Sequence, residues 1–391
     1  MDRVRNPFNP GAGTQPPLLV GRDAQLEAME VAVKRLALGR FERSMLLTGL
    51  RGVGKTVLLN EFGEIAEQEG WSYSHLEATE DIKVATALAT LCRRVLLELS
   101  LKERAKERAR KALGSLRSFV KVHVPLGDAG TLSVDFEALP GRADSGDLDG
   151  DLAGLFMEVG ETARAANSGV LFTIDELQYL SRSDLSALII GLHRVSQRGL
   201  PLLIAGAGLP SLPGLAGEAR SYAERLFSYV SIGSLNSDDA RRALSQPVED
   251  EGAHWQPAAI NRILDETEGY PYFLQEFGKQ AWNVAHDSEI TLGDIDNATL
   301  LAVNDLDGGF FRARIDKTTD AEREYLRAMV ALGGSGPYKS GDVSRQLGKT
   351  TGQTGMVRDS LIKRGLCFAP RHGELAFTVP MFDQFVRRAV Q

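Results

Sequence analysis

Apolar residues follow two patterns along the first part of the chain, short unbroken runs and longer stretches with a helical period. Residues 45–48 form the first short run, a glycine-rich loop follows, and apolar side chains return from Val57 at helical spacing. Further short apolar runs lie at 71–76, 170–174 and 202–206, with amphipathic segments between them at 84–101 and 152–167. Strands that alternate with helices predict an α/β fold with three layers, in which a parallel sheet lies between helices.

The pattern then becomes helical. Residues 236–310 contain helix-capping residues and three segments with helical spacing of apolar residues, but no strand pattern. We therefore expect an all-α lid domain there. Residues 311–391 show three helices and then two short apolar runs around a turn. This order is typical of a winged helix-turn-helix domain.

Two segments do not follow these patterns. Residues 1–17 are rich in Pro, Gly and Asn without any period, which predicts a flexible N-terminal arm before the α/β domain of residues 18–235. Within that domain, residues 101–151 are interpreted as an insertion. The helix of 84–101 would continue into the charged start of the insertion, and short strands would follow at 121–124 and 132–136.

Composition narrows the class of protein. The chain has 391 residues, of which 43% are hydrophobic and 25% charged, so we expect two or three soluble domains rather than a small stapled scaffold. It has no run as long as a membrane span and no secretory apolar core near residue 1, which favours the cytoplasm. Cys92 and Cys367 are far apart, so neither a disulfide framework nor a zinc site is indicated.

Residues 49–56 read GLRGVGKT and match the phosphate-binding pattern G-x-x-x-x-G-K-[ST] at every fixed position. The glycines let the backbone curl so that its N–H groups and the helix N-terminus face phosphate oxygens. Lys55 would reach the β- and γ-phosphates, and Thr56 would hold Mg²⁺. The ATP-binding loop predicted in this way comprises Gly49, Leu50, Arg51, Gly52, Val53, Gly54, Lys55, Thr56 and Val57. The alternative is a structural glycine turn that ends in Lys-Thr.

Two acids end a second predicted strand. Asp175 and Glu176 directly follow the apolar run at 170–174. An aspartate in this place binds Mg²⁺ through water, and a neighbouring glutamate polarises the attacking water. Two carboxylates at the end of one strand are unfavourable without a cation. The alternative is an ordinary acid pair that caps the next helix.

Together these motifs resemble the AAA+ superfamily, and within it the STAND-like and archaeal-initiator-like ATPases. The resemblance extends from residue 18 to the last residue. It rests on LVGRD at 19–23, the phosphate-binding loop, the acid pair, GYP at 269–271 and the C-terminal winged helix. It implies that ATP lies between the α/β domain and the lid, beside Val20, Gly21, Arg22 and Pro271. It also implies that nucleotide controls assembly.

Two departures from the family pattern indicate slow turnover. Relatives detect the γ-phosphate with a polar residue after the fourth core strand, where this chain offers only Ser211, and with a lid arginine, where it has Pro271. Arg220 and Arg225 match the region that supplies an arginine finger to a neighbouring subunit. The alternative for both is an ordinary solvent-exposed arginine.

Charge is distributed unevenly along the chain. The net charge is −7, but residues 318–391 carry 11 basic and 7 acidic residues, so only the last domain is suited to a polyanion. Contacts with double-stranded DNA are predicted for side chains on the presumed recognition helix and wing, namely Lys349, Gln353, Thr354, Arg358, Lys363, Arg364 and Arg371. Docking of a protein partner is the alternative.

The sequence therefore favours a cytoplasmic ATPase that hydrolyses ATP slowly with Mg²⁺ and works as a switch. Nucleotide would control self-association and the engagement of DNA or a partner by the winged helix. A nucleotide-bound scaffold without significant hydrolysis is the first alternative. The second is a P-loop kinase of small molecules, which a lid followed by a winged helix fits poorly.

Overall fold

A five-stranded parallel sheet lies at the centre of residues 18–235 in our computed structural model, which describes residues 1–125, 139, 143–334 and 336–389. Its strands are β1 (Ser44–Thr48), β2 (Ser72–Glu77), β3 (Val170–Asp175), β4 (Leu202–Gly208) and β5 (Phe227–Ser231). They lie in the order β2-β3-β4-β1-β5, and every neighbouring pair is parallel. Parallel neighbours require long crossovers, which here contain helices.

Helices cover both faces of this sheet. In β1, Met45 and Leu47 belong to one hydrophobic core and Leu46 to another, as the two-residue period of a strand requires. The first core includes α1 (Asp23–Ala37) and α2 (Lys55–Gln68). The second includes α3 (Val84–Ser100), α4 (Lys106–His123), α5 (Leu148–Ala165), α6 (Arg182–Gln197), α7 (Leu212–Ala219) and α8 (Ala223–Leu226). The predicted three-layer α/β fold is therefore confirmed.

The start of the insertion differs from the expectation. α3 ends at Ser100, a 3-10 turn covers Glu103–Ala105, and α4 then packs back against α3 and α5. The strand predicted at 121–124 is wrong because these residues complete α4, whose buried Leu116, Phe119 and Val120 follow a helical period. The strand predicted at 132–136 lies outside the described residues.

A helical unit follows β5. It consists of α9 (Ser237–Asp250), α10 (Pro257–Thr267), α11 (Pro271–Val284) and α12 (Leu292–Asp305), and a π-helical turn at Leu306–Phe311 leads into α13 (Arg312–Ile315). The sequence patterns did not predict α12. A short parallel pair, β6 (His254–Trp255) and β7 (Glu289–Ile290), joins two loops of this unit.

The C-terminal unit begins with α14 (Asp320–Ala331). It continues with β8 (Tyr338–Lys339), α15 (Ser340–Gln346), α16 (Thr351–Lys363), β9 (Cys367–Phe368), β10 (Glu374–Phe377) and α17 (Phe382–Ala389). β10 pairs antiparallel with both β8 and β9. The predicted order of three helices and a hairpin is present, and β8 and α17 are additions to it. None of the helices in the described part of the chain is long and apolar enough to span a membrane.

The first 17 residues lie against the helical unit. Phe8 is only 4% exposed, and Trp282 Nε1 of α11 donates a hydrogen bond to the carbonyl oxygen of Asp2 at 2.8 Å. A 3-10 turn covers Arg3–Arg5. Residues 1–17, predicted as a flexible arm, are therefore in contact with a neighbouring unit through Phe8 and Asp2, although many of them are exposed.

Candidate functional site

The phosphate-binding loop joins β1 to α2, as its motif requires. Gly52 and Gly54 have φ angles of +85° and +92°, which glycine adopts without steric strain. At Gly49, an added Cβ would lie 2.1 Å from the carbonyl oxygen of Ile232, so a larger residue would collide with the backbone. The glycines thus allow the tight curl that phosphate binding needs.

Lys55 and Thr56 are the first residues of α2. Lys55 Nζ donates hydrogen bonds to the carbonyl oxygens of Gly49 (3.1 Å) and Leu50 (2.7 Å). Burial lowers the pKa of the Lys55 ammonium, and the nearby carboxylates oppose this shift only in part. The Thr56 hydroxyl donates to Asp175 Oδ2. A hydroxyl and a carboxylate in contact are the hard oxygen ligands that Mg²⁺ prefers, so this pair fits the ion.

The acid pair lies at the carboxyl end of β3, facing α2. Asp175 is 3% exposed, and its Oδ1 accepts the main-chain N–H of Glu176 at 2.7 Å. Glu176 has a φ of +54°, a strained value for a residue with a side chain and one that is often found at functional sites. Gln178 holds the Glu176 carboxylate through Nε2 and accepts the N–H of Leu209 at 3.1 Å. Sequence reasoning missed Gln178, although its place just after the acid pair could have indicated it.

Arg51 occupies a variable position of the motif and is half-buried between the turn after β3 and the C-terminal unit. Its Nη2 donates to the Tyr179 hydroxyl at 2.7 Å and lies 3.8 Å from Glu176 Oε2. An added Cβ on Gly365 of the C-terminal unit would lie 2.7 Å from the same nitrogen. Burial would lower the pKa of Arg51, but Glu176 and Tyr179 more than offset this effect and raise the pKa. Its Nε has no hydrogen-bond partner among the described residues.

A second half-buried arginine, Arg314 on α13, enters the same region. Its guanidinium carbon lies 3.7 Å from the centre of the Phe310 ring, which stacks on Tyr272 at 4.6 Å between ring centres. Burial and the charge of Arg51 lower the pKa of Arg314 to about 10. Its Nε also lacks a partner within the described part of the chain. Sequence reasoning missed Arg314 because no motif contains it.

These groups surround a cavity of about 430 Å³ between the sheet, the helical unit and the first residues of the chain. The predicted nucleotide-binding residues that line it are Val20, Arg22, Arg51, Gly52, Val53, Gly54, Lys55, Thr56, Val57 and Pro271, and the predicted acids Asp175 and Glu176 line it as well. Gly21, Gly49 and Leu50 are not part of this lining. Arg22 lies at the cavity edge, and its guanidinium donates to the carbonyl oxygens of Val53 (3.2 Å) and Gly233 (2.7 Å). It therefore braces the loop.

Comparison with known families identifies the first unit. Residues 18–205 match a family model described as AAA ATPase domain. This part of the chain is an AAA ATPase domain. The prediction of an AAA+ P-loop ATPase is therefore confirmed, and the ATPase domain is a nucleotide-binding one. Residues 308–386, beyond the ATPase domain, match a family described as a domain of unknown function (DUF8462).

Solved structures share the fold of the whole chain, ATPase domain included. The Walker-type ATPase PABY2304 of Pyrococcus abyssi aligns at 16% identity with a TM-score of 0.56, over 94% of this chain and 96% of that one. The Orc1 protein of Aeropyrum pernix, solved in complex with DNA, aligns at 14% identity with a TM-score of 0.50, over 96% and 93%. None of the curated proteins compared with the chain matches it.

The two arginines predicted as fingers lie away from the cavity of their own ATPase domain. Arg220 Nη2 forms an ion pair with Asp149 at 2.9 Å, and Arg220 Nε donates to the Ser186 hydroxyl at 2.8 Å. Arg225 on α8 is exposed. Of the two, Arg225 is the side chain that a neighbouring molecule can reach without breaking an ion pair.

The residues predicted to contact DNA differ in their surroundings. Thr354 is 4% exposed and shares a hydrogen bond with the Ser344 hydroxyl at 2.8 Å, so it is not available to DNA. Gln353 caps α16 by accepting the N–H of Thr350 at 2.8 Å. Ion pairs hold three of the basic side chains: Lys349 with Glu324, Arg358 with Asp359 and Arg364 with the buried Glu322. Lys363 and Arg371 are exposed.

Proposed function

We propose that the protein binds ATP with Mg²⁺ in the cavity beneath the helical unit and hydrolyses it slowly. The observation that carries this proposal is the convergence of three cations, the buried Lys55 and the half-buried Arg51 and Arg314, on one cavity. Both guanidinium groups keep an unpartnered Nε among the described residues, which is costly in a buried place. A polyphosphate would supply the missing negative charge and hydrogen-bond acceptors.

Each group has a role in this reaction. The amides of the loop, Lys55 and the two arginines would bind the phosphates and stabilise the charge that develops as the bond between the β- and γ-phosphates breaks. Glu176 would accept a proton from the water that attacks the γ-phosphate. Thr56 and Asp175 would hold Mg²⁺, which neutralises phosphate charge when it is bound. The lid residues Tyr272 and Pro271 would exclude water from the site.

The contacts of Glu176 support slow turnover. Its carboxylate already accepts a hydrogen bond from Gln178 and lies 3.8 Å from Arg51 Nη2. These groups hold the carboxylate in place. A carboxylate held by two neighbours is less free to follow an attacking water molecule, which suits a switch better than a fast motor.

Two variants test this proposal in one set of assays. Lys55→Met should abolish binding of a fluorescent ADP with the fold retained. Glu176→Gln should keep that binding and lower phosphate release about 10²-fold or more. Glu218→Gln, an exposed acid on α7 of the same domain, is the control and should behave like the parent. Equal and near-zero phosphate release by the parent and Glu176→Gln would favour a scaffold without hydrolysis, and unchanged affinity in Lys55→Met would refute the site.

We also propose that nucleotide controls self-association and the contact of the C-terminal unit with duplex DNA. DNA binding is supported by the exposed Lys363 and Arg371 and by the excess of basic over acidic residues in this unit. The structurally similar Orc1 protein was solved in complex with DNA. Binding measured by fluorescence anisotropy should weaken with salt, and each alanine variant of these two residues should reduce the salt slope by about one. Binding that is insensitive to salt would contradict this role. Mass measurements with ADP and with a non-hydrolysable ATP analogue test assembly.

A further inference from the structure

The N-terminal segment is held on the helical unit by close packing of one ring and by side-chain hydrogen bonds. The Phe8 ring packs on Gly278 of α11, where an added Cβ would lie 2.7 Å from a ring carbon. Asn6 Nδ2 donates to the carbonyl oxygen of Lys279 (3.0 Å) and to Asn283 Oδ1 (2.9 Å). Asn6 Oδ1 also accepts the N–H of Phe8 at 3.0 Å. One end of the segment is therefore held on α11.

The other end is held on the helix that follows the phosphate-binding loop. Gln15 Nε2 donates to Glu61 Oε1 of α2. Between the two anchors, Gly13 has a φ of +69°, and its Cβ position lies 2.9 Å from Thr56 Cγ2. Residues 9–14 and 16 line the same cavity as the loop. We call residues 9–16 the strap, since they cross from the helical unit to the ATPase domain past the predicted metal-binding threonine.

We infer that the strap is a wall of the nucleotide site and that Phe8 is its positioning residue, so that nucleotide enters and leaves only when the strap is detached. This inference rests on the proposed nucleotide site. The strap reads NPGAGTQP and has no side chain beyond Cβ at positions 11–13, so its backbone can lie close to a bound nucleotide. Loss of either anchor would free the strap and leave the phosphate-binding residues in place.

The rate of nucleotide release measures this role. The full-length parent is loaded with fluorescent ADP and Mg²⁺, and release is followed by stopped flow after addition of excess unlabelled ADP. Phe8→Ala should speed release at least tenfold, and Gln15→Ala several-fold. Phe8→Leu, which keeps an apolar side chain in the pocket, should restore most of the slow release. Val4→Ala is the control in the same segment, because Val4 is 93% exposed, and it should release ADP at the parent rate.

Other outcomes overturn the inference. If Phe8→Ala does not fold, as judged by circular dichroism, Gln15→Ala carries the test because Gln15 is exposed. If both alanine variants bind ADP tightly and release it at the parent rate, the strap has only a packing role. The proposed nucleotide site would be unaffected by that result. If the parent fails to bind fluorescent ADP, as is expected of Lys55→Met, both the proposed nucleotide site and the role of the strap are wrong.

Discussion

Replacing Arg314 by methionine should stabilise the nucleotide-free protein and weaken its affinity for nucleotide. Burial and the charge of Arg51 lower the pKa of Arg314 to about 10, far below the ordinary arginine value. The charged form is therefore disfavoured in the folded state by about 3 kcal/mol at neutral pH. Methionine removes this penalty but also removes the contact of the guanidinium with the Phe310 ring, which contributes about 1 kcal/mol. It removes as well the hydrogen bond from Arg314 Nη1 to the carbonyl oxygen of Phe310, which contributes about 1 kcal/mol. The expected net gain in the free energy of unfolding is therefore about 1 kcal/mol.

The sign of the effect also predicts its pH dependence. Arg314 has a depressed pKa in the folded state and is charged below that pKa. Its penalty is therefore complete below about pH 10, falls as the pH rises above that value, and is gone only at the ordinary pKa of arginine. The stabilisation by methionine should be full at pH 7, where urea unfolding followed by circular dichroism measures it.

The second part of the prediction, weaker nucleotide binding by Arg314→Met, is measured by titration with fluorescent ADP. Loss of a charge-assisted hydrogen bond to phosphate is expected to weaken binding about 10-fold to 100-fold. Arg312→Met, an exposed arginine on the same helix, should change neither the stability nor the affinity. A lower free energy of unfolding together with unchanged affinity would refute the reasoning, because the cation would then support the fold and not the ligand.

Three further predictions follow from other contacts. Thr56→Val should raise the Mg²⁺ concentration needed for half-maximal phosphate release about tenfold, as measured by Mg²⁺ titration. Burial raises the pKa of Asp151, but hydrogen bonds from His123, Ser145 and Gly146 lower the pKa more. Asp151→Asn should therefore be less stable than the parent at pH 7 in urea unfolding. The difference should begin to shrink below about pH 4, the ordinary pKa of an aspartate, and should disappear only below the depressed pKa of the folded state. Arg225→Ala should lower phosphate release up to ~10³-fold at concentrations where the parent assembles, whereas Arg220→Ala should not; equal rates would remove Arg225 as a finger.

Much of the fold could be predicted because its signals are local. Strands β1, β3 and β4 are buried along their whole length, so they form unbroken apolar runs. β5 lies at the edge of the sheet and has exposed residues, so its sequence, FSYVS, lacks such a run. The residues at 121–124 alternate like a strand, but packing of α4 on its neighbours outweighs that local pattern.

The candidate site divides in the same way. Lys55 and Thr56 are part of one continuous motif, and Asp175 and Glu176 end one strand, so spacing alone indicated that they share a site. Arg314 and Gln178 reach the cavity region only through tertiary contacts, from a helix after the lid and from a turn after β3. No short pattern connects Arg314 to the loop. Phe8 was missed because a segment rich in Pro and Gly does not show from its sequence which surface it covers.

The glycine that meets Arg51 restricts how the two halves of the protein can change. Gly365 has a φ of +65°, which strains a residue with a side chain, and a side chain there would require the guanidinium of Arg51 to move. Position 51 is free to vary in the phosphate-binding pattern, but in this molecule its occupant fills a space that the C-terminal unit leaves for it. The two positions should therefore covary among homologous chains. A C-terminal unit grafted onto another ATPase domain would therefore meet a different side chain at this contact.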